Sequence, residues 1–209
     1  METSTTDPRP LGPRFIDALG FATEAHEGQY RKGTDIPYVA HLLGVTAIVL
    51  EYGGDEDQAI AALLHDAVED QGGDQMRQQI RARFGDRVSR MVDDCTDAEV
   101  EPKPPWMERK RAYVAHIPTA HTDSLLVSMA DKLHNASAIV RDVRHYGPSA
   151  FGRFNAGPED TLWYYESLVD AFDARRPEGG QQRLLDDLRA AVSALRDAAP
   201  PRLNPPEEP

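Results

Sequence analysis

Cysteine is nearly absent from this sequence: Cys95 is the only one among 209 residues. No intrachain disulfide can form, and the reducing cytoplasm is the compartment this points to. A nucleophilic role for Cys95 is disfavoured, because Asp93, Asp94 and Asp97 around it oppose a thiolate. Positive charge is scarce as well. There are 23 Lys and Arg against 35 Asp and Glu, a formal net charge of -12. Such a chain repels phosphate backbones at long range, which argues against nucleic acid as a partner. A small phosphorylated ligand is still admissible if a metal and a few basic residues reverse the sign locally. Long apolar runs are missing too. Val45–Leu50 and Ala59–Leu64 are far too short to cross a bilayer, so no membrane partner is expected. Met1–Pro10 has no apolar segment of a secretory signal. Neither an internal repeat nor strand-like alternation is visible.

What is present is helical periodicity. Residues 1–12 read as a flexible lead, 13–199 as one domain, and 200–209, with four prolines after Pro200, as a disordered tail. Within the domain the pattern predicts a first helix over 13–29, with Phe15, Ala18, Leu19 and Ala22 inward. A second covers 39–52 and stops at Gly53-Gly54; a third is capped by Asp55 and runs unbroken to Asp70. Shorter helices are expected at 74–84 and 86–93, a loop at 97–105, then helices at 106–116, 123–145, 159–174 and 180–198. The fold class is all-α, an irregular bundle of about eight to ten helices.

The segment His65-Asp66-Ala67-Val68-Glu69-Asp70 ends an otherwise apolar helix. Clustered carboxylates repel one another, and a cation would relieve that repulsion; imidazole and carboxylate donors suit Mn2+, Fe2+ or Zn2+. A His-Asp pair alone more often marks a solvated helix end. Two other positions change the balance. His41 opens an apolar helix, and Asp131 follows Leu125-Leu126-Val127-Ser128-Met129-Ala130, so a buried Asp131 needs a partner.

Arg31-Lys32-Gly33, then Pro37-Tyr38 leading to His41, then His65-Asp66 with Glu69-Asp70, then Ala130-Asp131-Lys132-Leu133-His134-Asn135 together resemble the hydrolase domain of the Rel/Spo alarmone enzymes. That domain is a branch of the HD phosphohydrolase superfamily. The likeness runs from about Phe21 to Phe172, and with no synthetase or regulatory region in it the chain is similar to the stand-alone small alarmone hydrolases. The resemblance implies an HD-type helical bundle and metal-dependent hydrolysis of the 3′-pyrophosphate of guanosine tetra- or pentaphosphate. It makes His41, His65, Asp66 and Asp131 ligands of one Mn2+. It gives Glu69 and Asp70 the task of orienting or activating the attacking water, and Arg31, Lys32 and Asn135 that of binding the nucleotide.

This sequence departs from the pattern in places. Leu42 follows His41 where Pro is common, the Gly33–Pro37 loop is one residue longer, and Asp35 adds negative charge near the expected nucleotide. Acidic Glu159 and Asp160 stand where basic residues often hold phosphate, leaving Arg153 as a substitute. Adenosine alarmones or NADPH are therefore alternative substrates. A nucleotide-sensing or toxin-neutralising module without turnover is the non-enzymatic alternative, against which the presence of both Glu69 and Asp70 counts. His26 reads as a structural brace for the Arg31 loop, and His134 as pointing away from the metal. His116, His121 and His145 have no constellation around them. Lys132, Arg141 and Arg144 each read as solvated or ion-paired surface groups, with contact of one of them to a pyrophosphate as the alternative, and Trp106, Trp163, Tyr164 and Tyr165 read as core or loop anchors.

Overall fold

The computed structural model describes residues 11–97, 102–153 and 156–199. The lead up to residue 10, the tail from 200 and the middle of the 97–105 loop lie outside the described residues.

Among the described residues ten α-helices and one 3-10 turn follow one another: α1 Pro13–Ala25, α2 Val39–Glu51, α3 Glu56–Leu64, α4 Ala67–Gln71, α5 Gly73–Phe84, α6 Asp86–Cys95, α7 Trp106–His116, α8 Thr122–Tyr146, the turn Gly147–Arg153, α9 Pro158–Ala174 and α10 Gly179–Ala198. Among the described residues the only extended pairing is one bridge, Tyr30 to Pro37. No helix there is long and apolar enough to cross a membrane.

α3 lies at the centre. Its start is fixed by a capping box, Gln58 N–H donating to Asp55 Oδ1 and Asp55 N–H to Gln58 Oε1, each at 3.0 Å. From Gln58 to Leu64 every residue is buried, so this helix has no polar face and needs neighbours all round. α1, α2, α6 and α8 supply them. α8 is the second axis, buried continuously from Ser124 to Lys132, and α10 lies along it. On α1 the buried residues are Ala18, Phe21 and Ala22, with Phe15 and Leu19 at the core's edge.

The expected unbroken helix to Asp70 is in fact two. α3 ends at Leu64 and α4 restarts at Ala67. His65 Nδ1 donates to Ala62 O at 2.8 Å, taking up a carbonyl of the last turn, and Asp66 turns aside at φ -98°, ψ -6°. Asp70 N–H returns to Asp66 O at 3.0 Å, so the turn geometry resumes at once. α1 likewise stops at Ala25, short of 29, because Gly28 at φ +72° starts the descent into the 30–37 loop.

Candidate metal centre

The break after α3 turns the His65 imidazole inward. Because a carbonyl can only accept, Nδ1 of His65 carries a proton toward Ala62 and Nε2 faces the centre. His41, in the first turn of α2, brings its Nε2 to 3.3 Å from that of His65. Asp66 Oδ2 lies 3.1 Å from His65 Nε2 and 3.4 Å from His41 Nε2. Asp131, from mid-α8, places Oδ1 at 3.2 Å from His41 and 3.5 Å from His65. Both imidazoles are 1% exposed. Donors sharing one ion at bonds of about 2.1 Å stand about 3.0–3.4 Å apart. His41, His65 and Asp66 thus offer three converging atoms for a single small cation, and Asp131 reaches both histidines from the side of α8.

Electrostatics point the same way. Burial opposes charge on His65, yet Asp66 and the Asp131 hydrogen bond outweigh it and lift the imidazole well above its ordinary value. Burial also opposes the carboxylates. His65 and the imidazole hydrogen bonds nonetheless hold Asp66 well below the usual range, and Lys132 with both histidines does the same for Asp131. The cluster favours positive charge at its middle, which a proton on His65 or a divalent ion can supply.

The carboxylates have further partners, two of them on the same oxygens that face the histidines. Tyr38 donates to Asp66 Oδ2 at 2.6 Å, its phenol kept protonated by burial and by that carboxylate. Asp131 accepts from Lys132 Nζ at 2.7 Å and from Asn135 Nδ2 at 2.5 Å. Lys132 is thus a buried partner of Asp131, seated over the Tyr113 ring, and not the surface group its sequence context suggests. Cys95 is buried and its thiol is pushed up by that burial.

Glu69 and Asp70 sit on α4 and are tied to other elements. Glu69 accepts from Lys103 Nζ at 3.0 Å and from the Asp97 N–H at 3.3 Å. Asp70 accepts from Gln29 Nε2 at 2.9 Å, with Lys103 3.8 Å away. The Arg31 loop is folded back on itself by Arg31 N–H to Ile36 O and Tyr38 N–H to Gln29 O. It sends the Arg31 guanidinium to Asn135 Oδ1 at 2.7 Å, over the Tyr38 ring.

A cleft of about 510 Å3 opens beside these groups, walled by Arg31, Lys32, Tyr38, His41, Asn135 and Tyr165. A smaller cavity of about 220 Å3 shares Lys32 and Asn135 and adds Lys110, Lys132, Trp106 and Tyr164. The cleft wall near the loop tip is Thr34 and Ile36; the exposed Asp35 is not part of it. Arg141 lines the cleft, whereas Arg153 reaches Asp142 at 3.4 Å and lies over Tyr146. His26 stacks on Tyr38 and bonds Gln29 Oε1 at 2.7 Å, bracing the loop. His134 stands 2.9 Å from His41, on the Nδ1 side of that ring, and burial, then His41 and Arg31, push its pKa down to about 4. Sequence spacing gave no signal for Gln29 or Lys110; Tyr38, three residues before His41, was inside the motif.

The HD domain model matches residues 18–151. Guanosine-3′,5′-bis(diphosphate) 3′-pyrophosphohydrolase MESH1 of Xenopus tropicalis is 39% identical over 140 residues, 66% of this chain and 73% of that protein. The Homo sapiens MESH1 is 36% identical over 141 residues, covering 66% and 74%. The solved structure of a metazoan ortholog of SpoT that hydrolyses ppGpp superposes with a TM-score of 0.66 at 25% identity, over 89% of this chain and 97% of that one. Together with the His-Asp centre at the α3–α4 break, these matches mean that the chain belongs to the HD domain family, as a relative of the MESH1 and SpoT hydrolases.

Proposed function

We propose that this protein hydrolyses guanosine 3′,5′-polyphosphates at the 3′ position, releasing pyrophosphate and leaving the 5′-nucleotide, with Mn2+ as its ion and the cytoplasm as its place of action. The observation that carries this is the convergence of two buried histidine nitrogens from α2 and the α3–α4 break with two carboxylates, each 3.1–3.5 Å from both histidines, beside the cleft that His41 lines. The activity named for the MESH1 relatives supports the same reading.

In this reading His41, His65, Asp66 and Asp131 hold the ion. When bound, it acidifies a water and offsets charge on the phosphoryl group. The proton released as water adds to phosphorus goes to a carboxylate of the Glu69–Asp70 pair, kept in place by Lys103 and Gln29. The bond broken joins the 3′-oxygen to phosphorus, and that oxygen leaves as the nucleotide's 3′-hydroxyl by taking a proton from solvent or back from the carboxylate. Arg31, over Tyr38 and bonded to Asn135, offers a planar cation to a purine. Lys32, Lys110 and Lys132 border the smaller cavity, where a diphosphate would meet Lys110 paired with Asp97 and Lys132 paired with Asp131. Because Asp35 stays out of the cleft wall, the loop's extra charge gives no reason to favour adenosine.

Metal analysis of the purified chain tests the centre. About one transition metal per chain is expected, lost in His65→Ala and Asp131→Ala; full content in both variants removes it. Glu69→Gln and Asp70→Asn should keep metal and nucleotide while turnover falls about 100-fold or more. A release assay with Mn2+ across guanosine and adenosine 3′,5′-polyphosphates and NADPH then decides the substrate. Faster cleavage of the adenosine form, or release of phosphate from NADPH alone, overturns the guanosine assignment and leaves the centre standing.

A further inference from the structure

A glycine in the middle of an apolar helix is unfavourable by about 0.5–1 kcal/mol relative to alanine. Gly44 occupies such a place on α2, one turn after His41, without a positive φ to require it. The reason is across the helix interface. A Cβ on Gly44 would fall on the imidazole of His134, 2.6 Å from its Cδ2 and closer still to its Nε2. α2 therefore lacks a side chain where the α8 histidine needs its backbone surface. The ring so seated presents Nδ1 to Nδ1 of His41 at 2.9 Å, the two rings 4.8 Å apart between centroids.

Two nitrogens at that distance share one proton, and which ring owns it matters. If His41 carries it on Nδ1, its Nε2 offers a lone pair to the centre. If His134 carries it, a neutral His41 must hold its own proton on Nε2, and that nitrogen is lost as a ligand. The carboxylates of Asp131 and Asp66, 3.2 and 3.4 Å from His41 Nε2, draw the proton to the wrong side. An acceptor on the far side opposes them. His65 needs no such device, because Ala62 O, which can only accept, already fixes its Nδ1 proton.

We propose that His134, seated against the side-chain-free surface of Gly44, is a positioning residue that accepts the Nδ1 proton of His41 and so holds His41 in its metal-binding form. The inference rests on the reading of His41 as a ligand. It assigns His134 no contact with the ion or the substrate.

The test is Mn2+ affinity of the full chain, stripped with chelator and titrated with Mn2+ alone, in the parent and in His134→Phe, His134→Asn and Gly44→Ala. Phenylalanine keeps a ring and removes the acceptor; asparagine restores an acceptor where Nδ1 stood. His134→Phe and Gly44→Ala should weaken binding about 10–100-fold, with His134→Asn within about threefold of the parent, as loss of a partner to a ligating histidine predicts. If His134→Phe binds as the parent does, or if His134→Asn is as weak as His134→Phe, the proposal falls while the metal centre stands. If the parent chain binds no Mn2+, both fall. Should Gly44→Ala fail to fold, the two His134 variants decide the question.

Discussion

Asp94 shows how one residue can organise a corner of this fold. Its carboxylate, 9% exposed, accepts from Ser124 Oγ at 2.6 Å, His116 Nε2 at 2.9 Å, His121 Nδ1 at 2.9 Å and the His121 N–H at 3.0 Å. Burial works to raise its pKa, but those donors outweigh it and lower it. In sequence His116 and His121 stand without partners, because the groups that meet them lie 22 and 27 residues away on α6. Asp94→Asn should cost about 1–3 kcal/mol at pH 7, since it leaves donors facing a neutral amide. The sign with pH follows from the depressed value. The folded chain binds fewer protons than the unfolded one near pH 4. Asp94's contribution is therefore complete above its unfolded value of about 3.9 and is lost as pH falls through the lower folded one. Urea unfolding of parent and variant should show a gap that is constant near neutrality and narrows below about pH 4; a gap unchanged by acid would remove the carboxylate as its cause.

At the scale of elements, α-helices were legible wherever periodicity and punctuation agreed. α7 falls on its expected bounds, α8 runs one residue beyond its expectation at each end, and α9 starts one residue early. The α3–α4 break was not legible, because Ala, Leu, His, Val and Glu around it are all compatible with a continuing helix. Its cause is a side chain, His65, taking a carbonyl that the helix would otherwise use. The burial of Lys132 and the seat of His134 were hidden for a related reason: each is set by what α2, α7 or the core brings to α8 from far along the chain. That His41, His65, Asp66 and Asp131 come together was foreseeable, because each sits inside a short motif and the fold only has to bring three motifs together. Glycines separate local from tertiary demands in the same way. Gly20 on α1 is exposed, with open space where a Cβ would go, whereas a Cβ on Gly180 would run into the backbone carbonyl of Tyr52. Gly20→Ala should therefore stabilise by about 0.4–1 kcal/mol, through chain entropy and helix propensity. Gly180→Ala should destabilise by about 1–3 kcal/mol by forcing α10 away from the α2 end. Equal effects of the two on the urea midpoint would mean that α10 is not docked as closely as this contact requires.

The whole molecule carries a net charge of -12, and two of its carboxylates, Asp66 and Asp131, are held ionised among apolar helices at the buried centre. A cation bound there links α2, the α3–α4 break and α8, so metal binding should stabilise the entire fold rather than one segment. A ligand of the folded state present at 100 times its dissociation constant adds about 2.7 kcal/mol. For a chain of this size about 1 kcal/mol moves the melting temperature by about 2–4 °C, so saturating Mn2+ should raise it by about 5–11 °C. The shift should reverse with chelator and be absent in His65→Ala. It should also depend on pH in a fixed direction. His65 is lifted well above its ordinary value, so the metal-free cluster retains a proton that the ion must displace. Affinity therefore climbs as pH rises, by at most about tenfold per unit for each proton released. At one fixed Mn2+ concentration below saturation, the stabilisation measured at pH 8 should exceed that at pH 6. An equal shift at both, or a larger one in acid, would mean that the ion binds without displacing the His65 proton and that His65 is not among its ligands.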